Sequence, residues 1–207
     1  MAVFPVFLKL AGRRVVVVGG GPVAASKLRS LIDAEASVTV IAPEVVEAIA
    51  SAPVEVVRRP FRAEDLDGAW YVVAAAPPDV NRAVAAAAHE RNLFVNAVDD
   101  LENASAYLGA VLRRAGVTVA LSTDGEAPAL VGLMREALEA VLPDDLDTWM
   151  ETARDARRQW LAEGIPMEQR RPLLLEALEK LYEKRRAAQL PPRNANVDAF
   201  SASGTTD

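Results

Sequence analysis

The stretch RVVVVGGGPVA, residues 14–24, decides the fold. Val15–Val18 run directly into Gly19, Gly20 and Gly21, and a helical pattern of Ala24, Ala25, Lys27, Leu28, Leu31 and Ile32 comes next. An unbroken run of β-branched residues predicts a strand buried on both faces. The glycines allow a tight turn, and the pattern beyond them predicts a helix that begins at once. The order reads Gly-x-Gly-x-x-Ala, the dinucleotide fingerprint. Gly19 serves the turn, Gly21 lets the backbone approach a pyrophosphate, and Ala24 lets helix and strand pack closely. The free N–H groups and positive dipole end of the helix face the anion. The competing reading is a tight turn without a ligand, and the strand before it and helix after it speak against that.

Outward from this turn the chain alternates. Strands are predicted over 14–18, 36–41, 54–57, 69–75 and 93–96, with helices over 22–34, 44–50 and 78–91 between them. Such alternation builds βαβ units, so the fold class is α/β, a Rossmann-type parallel sheet. After residue 100 the pattern changes. Strand-like runs at 105–112 and 117–121, separated by Arg113, Arg114, Ala115 and Gly116, predict a hairpin or an extension of the sheet. From Ala127 onward the chain reads as helix over 127–141, 144–163 and 167–187, punctuated by Pro143 and Pro166. Leu130, Leu133, Met134, Ala137, Leu138 and Val141 recur at helical spacing and form one apolar face, either core or a surface buried in a partner chain.

Composition narrows the function. Of 207 residues, 51% are hydrophobic and 25% charged, an ordinary globular balance for one or two domains. There is no cysteine, which excludes disulfides and thiolate metal sites, and the single histidine, His89, excludes multi-histidine metal sites. His89 reads as a surface or half-buried residue of the alanine-rich helix. A net charge of −6 argues against nonspecific nucleic-acid binding, although arginines gathered locally still serve an anionic small substrate. The N-terminus does not read as a secretory leader and no apolar run approaches the length of a membrane span, so a cytoplasmic protein with no membrane partner is expected.

Ligands of an open parallel sheet bind beyond the carboxyl ends of its strands. The segment at the end of the fifth predicted strand, Asn96-Ala97-Val98-Asp99-Asp100, emerges at that edge. Asp99 is therefore the candidate acid–base residue, the alternative being a polar loop that caps the next element. Ser122-Thr123-Asp124-Gly125, at the join of the last strand and the first long helix, suit an anion or an ordinary helix cap.

These motifs taken together, VVVVGGGPVAASK, NAVDD with a serine/tyrosine strand after it, and ALSTDGEAPALVGLMREALEAVLP, resemble the siroheme synthase family in its precorrin-2 dehydrogenase and sirohydrochlorin ferrochelatase part. The opening FPVFLKLAGRR is similar to that family's lead, and the resemblance covers residues 3–186. It implies a homodimer with an NAD-binding Rossmann domain over 1–112, a dimerisation region over 113–145 and a helical C-terminal domain over 146–188. A polar, aperiodic tail over 189–207 is expected to be disordered.

The resemblance further implies NAD⁺-dependent oxidation of precorrin-2 to sirohydrochlorin, with Fe²⁺ insertion in some members. By the same resemblance Asp99 falls on the catalytic aspartate. Pro22 with Val23 and Pro43 with Glu44 fall on pairs that meet the cofactor, and Thr123 on a hydroxyl near the tetrapyrrole. The chain departs from the family at Gly109, near a usual proline, and at Asp124, where a glycine is usual. The methyltransferase domain fused to some members has no counterpart in these residues.

A polyanionic tetrapyrrole needs cationic anchors, and Arg113 and Arg114, with Ser122 and Thr123, are the expected substrate contacts. No dedicated metal site is expected, since the tetrapyrrole itself supplies the ligands to iron. Ile41 stands where an acidic residue would select NAD, so the cofactor preference rests on Glu44 just beyond it. The alternative function is an NAD(H)-sensing Rossmann module without turnover. A second enzyme alternative, a short-chain NADP reductase, lacks its Tyr-x-x-x-Lys pair here, because none of Tyr71, Tyr107 and Tyr182 has a lysine four residues on.

Overall fold

Val15–Val18 are buried, as a β-branched run with helices on both sides must be. They make up most of β1 (Arg14–Val18), the central strand of a five-stranded sheet in a computed structural model that describes residues 3–189. Along the chain come α1 (Pro22–Asp33), β2 (Ser37–Ile41), α2 (Glu47–Ala50), β3 (Glu55–Val57), a 3-10 turn, β4 (Tyr71–Ala74), α3 (Pro78–Glu90) and β5 (Phe94–Ala97). The sheet order is β3-β2-β1-β4-β5 and every pairing in it is parallel. The register sets Ile41 opposite Val18 and Val57, so the first three strands end level.

Alternation along the strands builds two cores. Val15, Val17, Val38, Val40 and Val73 pack with Ala24, Leu28 and Leu31 of α1. Val16, Val18, Val72, Ala74 and Val95 pack with Val84, Ala85 and Ala88 of α3. Each buried valine contributes roughly 1.5–3 kcal/mol over an exposed one, so the central position of β1 follows from its composition.

Beyond β5 come β6 (Ala110–Arg114) and β7 (Val117–Leu121), a separate two-stranded sheet, then α4 (Pro128–Val141), α5 (Leu146–Ala162) and α6 (Met167–Gln189). Ala115 and Gly116 both have positive φ, the two-residue turn that matches strand twist, so Arg113 and Arg114 belong to β6 rather than to the turn.

The strand expected over 105–112 forms only from Ala110. Ser105 explains this: its hydroxyl, not its backbone carbonyl, accepts the Val95 N–H at 2.9 Å, which stops the ladder. The helix expected from residue 44 starts at Glu47, because Val46 is extended (φ −70°, ψ 157°), with its N–H bonded to the Gly20 carbonyl at 2.8 Å. Pro172 lies inside α6, where the sequence pattern gave it no special place. The expected disordered tail lies, from residue 190, outside the described residues.

The chain divides into two compact units. Among the described residues, the first runs to Val111 and takes in Ala120–Ala137; the second is Leu112–Val119 with the chain from Leu138 to Gln189. In the second, the Trp149 indole N–H donates to the Tyr182 hydroxyl at 2.9 Å, joining α5 to α6. No helix among the described residues is long and apolar enough to cross a membrane.

Candidate functional site

The glycine turn is built by close backbone approach on two sides. Gly19 has φ +126°, and a Cβ on it would overlap the Ala75 carbonyl beyond β4. A Cβ on Gly20 would overlap the Glu44 carbonyl beyond β2. Gly21, the N-cap of α1, has nothing within 4 Å of where a Cβ would stand. Gly19 and Gly20 are thus required by the protein's own backbone, while Gly21 borders open space.

Pro22 opens α1 at a position where no N–H is needed. The N–H groups of Val23 and Ala24 find no acceptor among the described residues. Orphan donors beside an open glycine form a cradle for a phosphate anion. Ala24 is fully buried, so the helix sits close on the sheet.

The loop after β2 is fastened to this turn. The Gly19 N–H donates to the Ile41 carbonyl at 3.0 Å, and the Val46 N–H to the Gly20 carbonyl at 2.8 Å. Pro43 and Glu44 are exposed in that loop. The structure therefore brings Gly19, Gly21, Pro22, Val23, Ala24, Pro43 and Glu44 to one edge.

On the other side of β1, the ends of β4 and β5 are held by Asn81, which sequence reading missed. Its side chain is 4% exposed. Its Oδ1 accepts the Ala76 N–H at 2.9 Å and its Nδ2 donates to the Val98 carbonyl at 3.4 Å. The available signal was helical spacing: Asn81 shares the buried face of α3 with Val84, Ala85 and Ala88.

Asp99 comes directly after Val98. It is exposed, has φ +57°, and makes no hydrogen bond or ion pair among the described residues. Asp100 is committed instead to the turn, where Asn103 donates to both of its carboxylate oxygens. Buried Asn96, on β5, donates to the Ala106 carbonyl at 3.0 Å, and its Oδ1 has no partner among the described residues.

The 122–127 loop joins the same unit. A Cβ on Gly125 would come 2.6 Å from Leu101 Cδ2, so this loop packs on the turn that carries Asp99. The hydroxyls of Ser122 and Thr123 accept the N–H groups of Asp124 at 3.1 Å and Ala127 at 3.0 Å. Both bonds brace the loop ahead of α4, and each hydroxyl keeps its own proton to donate.

The two departures from family pattern find local reasons. Asp124 has φ +53°, a region where glycine is unstrained and aspartate is tolerated. A Cβ at Gly109 would overlap the Leu121 carbonyl, which leaves no room for a proline ring.

Arg113 is exposed and Arg114 is turned to Asp144 at 3.4 Å; both belong to the second unit. His89 is exposed near the end of α3, as its surface reading expected. Tyr71 is buried at the start of β4, the opposite edge of the sheet, and burial pushes its phenol above the usual range. No cluster of three metal-ligating side chains occurs among the described residues.

A parallel sheet whose central strand ends in a glycine turn, with an anion cradle at the helix beyond it, defines a dinucleotide-binding domain of the Rossmann type. Residues 6–110 match the family described as "Putative NAD(P)-binding", and the chain belongs to that family. A nicotinamide dinucleotide is its cofactor class.

The chain is similar to siroheme synthase 3 of Aeromonas hydrophila, with 38% identity over 176 residues, covering 83% of this chain and 38% of that protein. It is similar to siroheme synthase 1 of Aeromonas salmonicida, with 33% identity over 210 residues, covering 99% of this chain and 44% of that one. It thus spans less than half the length of these curated relatives. Among solved structures it resembles one titled "SirC, precorrin-2 dehydrogenase", with a TM-score of 0.68 and 24% identity over 90% of this chain and 98% of that one, a likeness of fold.

Proposed function

We propose that this chain is a precorrin-2 dehydrogenase of siroheme or cobalamin biosynthesis, which oxidises precorrin-2 to sirohydrochlorin with NAD⁺. The observation that carries the reading is the free Asp99 carboxylate, held at the ligand edge of a sheet whose glycine turn is shaped for a dinucleotide. Similarity to siroheme synthases across the chain supports the substrate class.

The oxidation removes two electrons as a hydride, together with a proton. Bound NAD⁺ supplies the hydride acceptor. Asp99 takes the proton as general base. The cradle at Val23 and Ala24 holds the pyrophosphate, and Pro43 and Glu44 border the adenosine end. Exposed Glu44 disfavours a 2′-phosphate, which makes NAD⁺ the preferred dinucleotide. Ser122 and Thr123 donate to substrate carboxylates, and Arg113 and Arg114 supply cationic anchors. Insertion of Fe²⁺ into sirohydrochlorin displaces pyrrole protons, and the same carboxylate is the group placed to take them.

The working form is a cytoplasmic homodimer joined through the region after residue 105. Leu130, Leu133, Met134 and Val141 of α4 are exposed, a stripe suited to burial against a second copy. Light scattering at micromolar concentration is expected to give a dimer.

An anaerobic assay decides the reaction. Precorrin-2 with NAD⁺ should yield sirohydrochlorin and NADH in equal amounts, and subsequent Fe²⁺ or Co²⁺ reports metal insertion. Dinucleotide binding without turnover would instead identify an NAD(H)-sensing module.

A further inference from the structure

The sequence around the end of β2 contains no arginine that a 2′-phosphate could meet, but the fold brings one there from β3. Val57, the last residue of β3, lies opposite Ile41, the last residue of β2. Its carbonyl accepts two N–H groups, from Ala42 at 3.2 Å and from Arg59 at 3.0 Å. The second bond closes a three-residue turn with Arg58 at its apex. Arg58 therefore leaves the sheet at the carboxyl edge, one strand spacing, about 4.8 Å, from the Ala42–Pro43 loop.

The two arginines there have different fates. Arg59 is committed to the fold: both of its terminal nitrogens bond the Asp65 carboxylate, and one also bonds the Pro60 carbonyl. Arg58 is exposed and makes no hydrogen bond or ion pair among the described residues.

The position matters because the sheet order runs β3-β2-β1 away from the glycine turn. With the pyrophosphate at the start of α1, the adenosine of a dinucleotide extends over the ends of β2 and β3. The group that would ordinarily read the ribose from the end of β2 is replaced by Ile41. Two exposed charged residues of opposite sign stand at that edge: Glu44, whose carbonyl abuts Gly20, and Arg58, next after the end of β3.

We propose that Arg58 determines how strongly this chain discriminates NAD⁺ from NADP⁺, acting as the cationic partner of a 2′-phosphate and limiting the preference that Glu44 imposes. A guanidinium suits this role because it offers a planar pair of donors to phosphate oxygens. The inference rests on the dinucleotide reading of the site and adds the residue that sets its selectivity.

Isothermal titration calorimetry of the full chain with NAD⁺ and with NADP⁺, at one fixed ionic strength, tests it without reference to turnover. Arg58→Glu should raise the ratio of the NADP⁺ Kd to the NAD⁺ Kd by about tenfold or more, the scale of one charge-assisted phosphate contact. Its NAD⁺ Kd should stay within about twofold of that of the unmodified chain. Arg29→Glu, an exposed arginine on α1, makes the same change in net charge and should leave the ratio unmoved. An unchanged ratio in Arg58→Glu, or an equal change in Arg29→Glu, overturns the proposal while leaving NAD⁺ binding intact. A chain that binds neither dinucleotide overturns it together with the dinucleotide reading.

Discussion

Asn103 donates to both carboxylate oxygens of Asp100, at 3.0 and 2.8 Å from its Nδ2, while the neighbouring Asp99 has no such partner among the described residues. Two adjacent aspartates are thereby given different work. One closes a turn; the other leaves that turn with an uncommitted carboxylate and a left-handed backbone.

The pair can be separated by mutation. Asp99→Ala should lower the rate of precorrin-2 oxidation on the order of 10²–10⁴-fold, the usual contribution of a general base, with the NAD⁺ Kd and the melting temperature nearly unchanged. Asp100→Ala should do the reverse, losing about 1 kcal/mol of stability with its turn bonds and keeping most of the rate. Steady-state kinetics and thermal melts of both variants check this. An inactive Asp100→Ala beside an active Asp99→Ala would invert the assignment.

Gly20 and Gly21 make a second contrast. Gly20→Ala forces a methyl group into the Glu44 carbonyl, and such overpacking costs about 1–3 kcal/mol. Gly21→Ala meets no protein atom, so the fold should melt as before, while the new methyl group intrudes where the pyrophosphate approaches. A tenfold or greater rise in the NAD⁺ Kd is expected for Gly21→Ala, and Gly21→Asp should be worse because it adds a like charge. Calorimetric titration set beside a melting curve separates loss of ligand from loss of fold.

Stability in acid should report on Asp65. Hydrogen bonds from Arg59 hold its carboxyl below the ordinary range, with the Arg62 N–H helping and burial opposing. A carboxyl whose folded pKa is lowered stabilises the fold fully above its unfolded value, about 3.9. That contribution is lost as the pH falls through the lower folded value. Asp65→Asn should therefore be less stable than the unmodified chain near neutrality, and the gap should narrow below about pH 4. Denaturant melts at a series of pH values check it; a gap that stays constant down to pH 2 would contradict the account.

Asp124→Gly should stabilise the chain. Asp124 holds φ +53° on the loop between β7 and α4, and its side chain accepts no hydrogen bond among the described residues. Glycine adopts that conformation without strain, at a gain below the roughly 1–2 kcal/mol that left-handed backbone costs an ordinary residue. A rise in melting temperature of one to a few degrees, about 2–4 °C per kcal/mol at this chain length, is expected.

The sheet was legible because its signal is local. Four valines, three glycines and a proline-led helix in succession leave few alternatives, and β1 and α1 lie within a residue of their expected bounds. The place of Asp99 was legible for a related reason: strand direction alone puts the end of β5 at the carboxyl edge of the sheet.

Contacts between residues distant in sequence escaped. Gly20 looks like a spare member of a glycine run until Glu44 is folded against it. Asn81 reads as one polar residue in an alanine helix until Ala76 and Val98 converge on its carboxamide. Ser105 looks like an ordinary strand residue, yet its hydroxyl takes the place of a ladder carbonyl. No arginine lies between Val38 and Glu47, and only the pairing of Ile41 with Val57 brings Arg58 alongside the end of β2.

The first unit is written in two pieces of chain, with the tip of the β6–β7 hairpin, Leu112–Val119, set aside between them. Dissection or recombination of this protein must respect that interruption. A fragment that stops at Val111 forfeits Ser122, Thr123 and the Gly125 contact that seats their loop on Leu101. A graft that carries Ala120–Ala137 along with the sheet keeps the hydroxyl loop and the aspartate turn as one transferable part, while the hairpin tip, with its buried Leu112 and its two arginines, stays with the second unit.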